Sequence, residues 1–436
     1  MTQNLPEDPA AAAVTRKVMW RLIPFMMLLY FVAFLDRVNI GFAALTMNAD
    51  LGFSATVFGA GAGIFFLGYV LFEVPSNVAL EKFGARRWVA RIMFTWGLIS
   101  CAMAFVSGPI SFYILRFLLG AAEAGFFPGM ILYLTYWFPP RHRAKIVGAF
   151  LIAVPLSNVI GAPVSTAILS LDGVAIMGFA LKGWQWLFLL EGLPAVVLAF
   201  AVLRYLTDRP EKATWLSADE KQTLARSLDA GAVPRAASHS HTLKGALLNP
   251  RVWMYGVIYF GITVGIYGLG FWLPQIIRSF GGLSKIEVGL VTAIPYAVAS
   301  LVMFLVGRNS DKSGERVWHV AAPAFISGLG FLVSAYLGDA PWLALLAIVV
   351  AASGIYAAIP AFWTLPTAML TGTAAAGGIA LVNSIGNLGG YFGPLIIGYF
   401  KDADDSYATG MLFLAGFIAL TGVIVLLGNR GRERPV

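Results

Sequence analysis

The chain has 436 residues, of which 59% are hydrophobic and only 12% charged, where a soluble domain carries about 25% charged residues. Most of it therefore has no water-facing surface to supply, which excludes a soluble enzyme. The net charge of +8 sits in short basic clusters between apolar runs, as in the cytoplasmic loops of a membrane protein, so no nucleic-acid partner is expected.

Apolar runs at 22–35, 343–352 and 411–427 belong to segments of the ~20 residues needed to cross a bilayer. The polar start, Met1 to Thr15, lacks the charged-then-apolar order of a cleaved leader, so the first span is expected to be a permanent anchor. Six spans are predicted to begin near Trp20, Ser54, Arg87, Pro109, Arg143 and Trp184. A polar stretch over 207–248 follows. Six more spans begin near Arg251, Lys285, Arg316, Trp342, Ala374 and Tyr407. The pattern predicts an all-α polytopic membrane protein: twelve transmembrane helices in two pseudo-symmetric six-helix bundles, 1–206 and 249–436, joined by a cytoplasmic linker at 207–248.

Charge placement supports that layout. Of 30 Lys and Arg, only Lys182, Arg278, Lys285 and Lys401 fall on the outer side, and Arg37 and Arg116 lie within spans; the other 24 fall at one face. One missed span would invert every later loop, so a bias this strong places both termini in the cytoplasm. In the linker, Ser217 and Glu220 have capping-box spacing, with Leu224 and Leu228 at helical separation. A short amphipathic helix is predicted there. The halves also repeat a motif: Lys82-x-Gly84-x-Arg86-x-Trp88 after span two and Lys312-x-Gly314-x-Arg316-x-Trp318 after span eight, 230 residues apart. Such repeats are common where two bundles rock about a midplane site.

Ionisable groups inside a membrane are costly and so are functional candidates. They are Asp36 and Arg37 in span one, Glu73 in span two, Arg116 and Glu123 in span four, and Glu191 in span six, all in the first half. Asp36 and Arg116 have similar predicted depths at 1.5 Å per residue. Arg116 and Glu123 are seven apart, hence on one helix face. A cluster is expected in which Arg116 pairs with Asp36 or Glu123, leaving a carboxylate poised to exchange a proton. The alternative is a static ion pair that locks two helices. Arg37 points about 100° from Asp36 and is free to clamp an anionic substrate, since guanidinium binds carboxylate bidentately. Glu73, close to Pro75, is expected to brace a loop, and Glu191 has no assigned role.

The second half offers uncharged polar groups. Asn383, Asn387 and Tyr391 form one stripe on span eleven among Gly386, Gly389, Gly390 and Gly393. Span ten carries Tyr356, Pro360, Trp363 and Thr364; in the first half, span five carries Ser157 and Asn158. Facing a cavity, these would suit a hydroxylated or aromatic acid; facing other helices, they would be glue. His142, His239, His241 and His319 have no metal-ligand spacing, and Cys101 is the single cysteine. No metal, cofactor or internal disulfide is expected.

The strings Leu35-Asp-Arg-Val-Asn-Ile-Gly-Phe-Ala-Ala44, Arg116-x-x-x-Gly120-x-x-Glu123, Gly183-Trp-Gln-Trp-Leu-Phe-Leu-Leu-Glu-Gly192 and Asn383-Ser-Ile-Gly-Asn-Leu-Gly-Gly390 resemble the anion:cation symporter branch of the major facilitator superfamily. That branch comprises organic-acid permeases related to sialin. The resemblance runs from Trp20 to Gly428. It implies proton-driven uptake of a tartrate, sugar-acid or aromatic carboxylate through a central site, by a monomer in a bacterial inner membrane. Asp36 and Glu123 would then be the proton-linked carboxylates, Arg116 their partner, and Arg37, Tyr69, Asn383 and Asn387 substrate contacts. Glu81, Lys82, Gly84 and Arg86, with Asp311, Lys312, Gly314 and Arg316, would form the gating loops. Asn77 and Glu81 stand where the superfamily usually has glycine and aspartate, while Gly307 and Asp311 keep the pattern. A proton-coupled exporter of drugs or metabolites is the rival. Ile160-Gly-Ala-Pro163 matches the exporter pattern of span five only in part, and no nucleophile–base constellation suggests an enzyme.

Overall fold

A computed structural model describes residues 9–176, 178–230, 248–369 and 372–429. Among them, eleven helices are long and apolar enough to cross a membrane: Pro9–Leu51, Ala55–Phe83, Ala85–Phe105, Pro109–Trp137, Ile146–Leu171, Gly183–Tyr205, Pro250–Arg278, Lys285–Ser313, Trp318–Tyr336, Pro341–Met369 and Ala408–Gly428. A further segment of membrane length is split at Leu388 into Gly372–Asn387 and Gly389–Asp404. It takes the eleventh place and completes the predicted twelve. Span one starts earlier than expected, at Pro9, because proline suits a first helical position and four alanines, 10–13, follow it. A small hairpin, Ala175–Ile176 with Phe179–Ala180, is the β structure among the described residues.

The outer surface of the spans is apolar. Leu71, Val74, Ile110, Leu301 and Leu346 are all exposed, as side chains that meet lipid should be. Inward-facing positions carry the buried polar groups.

Several spans are discontinuous. Span four stops at Glu123 and resumes at Phe126, with Gly125 left-handed at φ 83°. A side chain at Gly125 would also collide with Ser76. Pro128 has no N–H to donate to the Ala124 carbonyl, which keeps the break open. Span five is interrupted next to Ile152, where Pro155 removes the donor for residue 151.

At the face opposite the termini the halves close on each other. The backbone N–H groups of Ala55 and Thr56, at the start of span two, donate to Asp402 of span eleven at 2.9 and 2.7 Å. This carboxylate sits at the positive end of a helix. Further in, a side chain at Gly63 would come within 2.6 Å of the Tyr391 carbonyl, so these two spans touch backbone to backbone.

The linker helix is present at Ala218–Ala230. Ser217 Oγ accepts from the Glu220 N–H at 3.1 Å, and Glu220 returns the bond to the Ser217 N–H at 2.8 Å. Leu224 is buried and Leu228 packs on the core, as predicted. Residues 231–247 of the linker lie outside the described part of the chain.

Candidate functional site

Asp36 and Arg37 are adjacent on span one and turn to different neighbours, as residues 100° apart must. Asp36 meets span three: it accepts from Trp96 Nε1 at 2.8 Å and Ser100 Oγ at 2.8 Å, with the Asn39 amide at 3.5 Å. Arg37 meets span four. Its Nη2 pairs with Glu123 Oε1, and its Nε lies 3.1 Å from the same oxygen. Arg37 Nη1 also donates to Tyr267 Oη of span seven at 3.2 Å. The rings of Phe34, Phe65 and Tyr69 lie 5.3–5.4 Å from the guanidinium. Both partners of the ion pair are buried. Because Glu123 ends the first part of span four, the helix break places it at the centre, facing Arg37.

This arrangement corrects two expectations: Arg37 is not a spare cation, since it pairs with Glu123, and Arg116 is not the partner of Asp36 or Glu123. It donates instead to the carbonyls of Gly61 and Ala62 in span two, at 3.2 and 2.8 Å. Its remaining nitrogen, Nη1, is buried without a partner, and the rings of Phe65 and Phe271 flank it. Seven residues put Arg116 and Glu123 on one face but two turns, about 10 Å, apart, too far for contact.

Glu73 is also corrected. It does not brace the nearby loop but crosses between the halves. Asn383 Nδ2 donates to one of its oxygens at 2.6 Å, and Ser384 Oγ lies 3.4 Å from the other. Glu191 accepts from Ser165 Oγ at 2.7 Å, and its second oxygen is buried without a partner.

The remaining candidates divide. Tyr69 is buried beside Arg37. Trp363 stands edge-on to Tyr259 at 4.9 Å, and Phe362 stacks on Tyr259 at 5.3 Å, forming an aromatic wall between spans seven and ten. Asn387 is buried. Ser157, Asn158 and Thr364 spend their side chains on their own helices, bonding the carbonyls of Val154, Val154 and Ala361. Trp96, Ser100, Tyr259 and Tyr267 were not anticipated. They are uncharged, and a search for charges in apolar spans passes over them.

The repeated loops both turn at a glycine, with different backbone conformations, ψ 148° at Gly84 and −2° at Gly314. Gly84 and Gly314 both end a helix with positive φ, 87° and 69°. Glu81 and Lys82 are exposed. The Arg86 N–H donates to Asp208, beyond span six, at 2.8 Å. The second copy is tied to itself: Arg316 Nη1 reaches Ser310 at 2.8 Å and Asp311 at 2.7 Å, and Lys312 is exposed.

Residues 26–394 match the family model of the Major Facilitator Superfamily. The chain belongs to that superfamily. It is therefore an integral membrane transporter and not an enzyme, with the helical architecture predicted above. Among its superfamily relatives is a protein of Agrobacterium vitis named for tartrate transport, 52% identical over 97% of this chain and 98% of that one. A quinolone resistance transporter of Acinetobacter baumannii is 44% identical over 94% of each chain. The fold superposes on an inward-facing, occupied bacterial homologue of the lysosomal transporter Spinster, with TM-score 0.76, 18% identity and 99% of both chains covered.

Proposed function

We propose that this superfamily member imports a small hydroxylated organic anion, of the tartrate or sugar-acid kind, together with protons. It works as a monomer in a bacterial inner membrane with both termini in the cytoplasm. The bundles 1–206 and 249–436 rock about the central site, and 207–248 tethers them.

The observation that carries this reading is the buried Arg37–Glu123 pair, held at a helix break and touched by Tyr267 from the other half. One guanidinium has two possible anionic partners. With the site empty, Arg37 pairs with ionised Glu123 and the net charge is zero. When a proton binds Glu123, Arg37 is released to take one substrate carboxylate, and the net charge is again zero; a dianion such as tartrate calls for a second proton, on Asp36. Neither state leaves an uncompensated charge in low dielectric, so both can reorient. A carrier with substrate but no proton would hold one surplus negative charge and be held back. Proton and anion are thereby coupled in one direction of transport.

Asp36 lies beside this pair with donors from Trp96 and Ser100 but, among the described residues, no cation within hydrogen-bond reach. It is the second proton-linked carboxylate. Arg116 supports the site by fixing span four to span two. Tyr69, Asn383, Asn387 and Trp363 line the substrate's path, with Thr364, Ser157 and Asn158 behind them. The loops at Glu81–Arg86 and Asp311–Arg316 act as gates. The relative named for tartrate supports the substrate class, while the one named for quinolone resistance supports the rival, proton-driven export.

The test is uptake into proteoliposomes of labelled tartrate, sugar acids, phthalate and hydroxyphenylacetate, with and without an inward proton gradient. Gradient-stimulated accumulation of an acid is expected. Uptake indifferent to the gradient would remove the coupling role of Asp36 and Glu123. No uptake of any acid, with gradient-driven efflux of a quinolone, would establish the rival.

A further inference from the structure

Glu73 and Glu191 are buried carboxylates that the coupling scheme leaves unused, and of the two Glu73 hydrogen-bonds across to the other half. Around it, Leu71, Phe72 and Val74 of span two are exposed toward lipid, while Glu73 itself is only 3% exposed and turns inward. It stands one helical turn beyond Tyr69 on the same face, and the Tyr69 ring lies 5.4 Å from the Arg37 guanidinium. Glu73, Tyr69 and Arg37 thus follow one another along the interface between the halves. The hydrogen-bond partners of Glu73 are uncharged: the Asn383 amide at 2.6 Å and the Ser384 hydroxyl at 3.4 Å, both from span eleven. Those two residues are half-buried.

A buried carboxylate satisfied by an amide and a hydroxyl, rather than by a cation, is built to accept hydrogen bonds from neutral O–H and N–H donors. With the Asn383 amide beside it, it offers acceptor and donor together, the complement of a carbon-bound hydroxyl. We propose that Glu73, with Asn383 and Ser384, is the specificity-determining subsite that reads a hydroxyl group of the substrate. The inference rests on Arg37 holding the carboxylate of that substrate. The class selected is a hydroxycarboxylate: its anionic end lies at Arg37 and a hydroxyl donates to a lone pair of Glu73 that Asn383 and Ser384 leave open. An analogue without the hydroxyl would leave Glu73 short of a donor in a desolvated site, which is the kind of mismatch that discriminates strongly.

The test measures competition against uptake of a labelled hydroxy acid in proteoliposomes. Tartrate, malate and succinate are the competitors, because they share a four-carbon diacid and differ in hydroxyl number. The wild-type protein is expected to rank them in that order, with succinate weaker than tartrate by tenfold or more. Glu73→Gln preserves shape and can still accept from Asn383, yet it weakens the acceptor and adds a competing donor. It is expected to compress the tartrate-to-succinate ratio toward unity while succinate itself changes little. A residue that merely braced span two against span eleven would lower uptake of all three acids alike, and that result overturns the inference. So does a wild-type protein that does not distinguish tartrate from succinate, a measurement that needs no variant to fold. If the wild type takes up no organic acid at all, the failure lies with the proposed function.

Discussion

The two halves of the molecule divide the chemistry unequally. The first six spans hold every buried acidic or basic side chain among the described residues: Asp36, Arg37, Glu73, Arg116, Glu123 and Glu191. The last six meet them with uncharged groups, Tyr267 against Arg37 and Asn383 with Ser384 against Glu73. The difference suits the proposed rocking of the two bundles, which sets what must come apart. Breaking a buried ion pair leaves an uncompensated charge, at a cost of about 3–5 kcal/mol. Exchanging a hydrogen bond between a charged and an uncharged group costs about 1.5–3 kcal/mol. The Arg37–Glu123 pair joins spans one and four of the same half, so rocking leaves it intact. The inter-half contacts are the inexpensive ones. In the proposed cycle, protonation changes the first half, and the second half senses it through hydrogen bonds.

The sharpest way to break this comparison is to remove the cation. Arg37→Ala should abolish accumulation and weaken substrate binding by about 100-fold or more, the ~3 kcal/mol expected for truncating one partner of a buried charge pair. It should also lower the melting temperature, because Glu123 is left buried alone. Adding Glu123→Ala should restore much of that stability, since removing both partners is milder than removing one. Transport should not return. Melting curves and uptake on the same preparations separate the two effects. Transport by the double variant would mean the pair is a structural lock.

Glu123→Gln tests the coupling alone. The amide cannot ionise, so Arg37 stays available to the substrate. Exchange of internal for external acid should persist near the wild-type rate, while accumulation driven by a proton gradient is lost. Counterflow and gradient-driven uptake measure the two separately. Normal accumulation by this variant would transfer the coupling role to Asp36 or Glu191.

On the second-half side, Tyr267→Phe removes one hydroxyl and keeps the ring stacked near Phe271. A hydrogen bond to a charged group contributes about 1.5–3 kcal/mol. The apparent KM should therefore rise about tenfold, with the response to the proton gradient unchanged. If the gradient response disappears as well, the second half takes part in the protonation step and the division of labour is less strict.

Much of the fold was legible because the bilayer imposes simple rules. Span length, loop charge and the Gly84/Gly314 repeat each constrain the topology independently, and the helix starts agree closely apart from Pro9. The site was legible in membership and not in pairing. Asp36, Arg37, Arg116 and Glu123 are conspicuous because charge is rare in hydrocarbon. Yet periodicity gives the face of one helix and says nothing about how its neighbours are rotated. The seven-residue spacing suggested an Arg116–Glu123 relation, whereas the left-handed turn at Gly125 aims Glu123 at Arg37. Glu73 was misread because Pro75 suggested a loop, and its partners lie 310 residues away in sequence. Trp96, Ser100 and Tyr267 carry no charge to mark them out in an apolar run.

The smallest expected effect lies outside the membrane, where an ion pair tests whether burial is what gives the central charges their importance. Lys17 Nζ lies 2.7 Å from Glu220, joining span one to the linker helix, with both side chains partly exposed. The Lys17 hydrogen bond, followed by the Ser217 backbone N–H, holds the Glu220 carboxyl below its usual range. Its contribution to stability is therefore present above the ordinary carboxylate pKa and fades as pH falls through the lowered folded value. In water such a pair contributes a few tenths of a kcal/mol and is screened by salt. Lys17→Ala should shift the melting temperature by about a degree or less at neutral pH, by still less in high salt, and should leave uptake unchanged. A loss of transport comparable to that of Arg37→Ala would mean that the linker helix takes part in the rocking step, placing part of the transport machinery outside the two bundles.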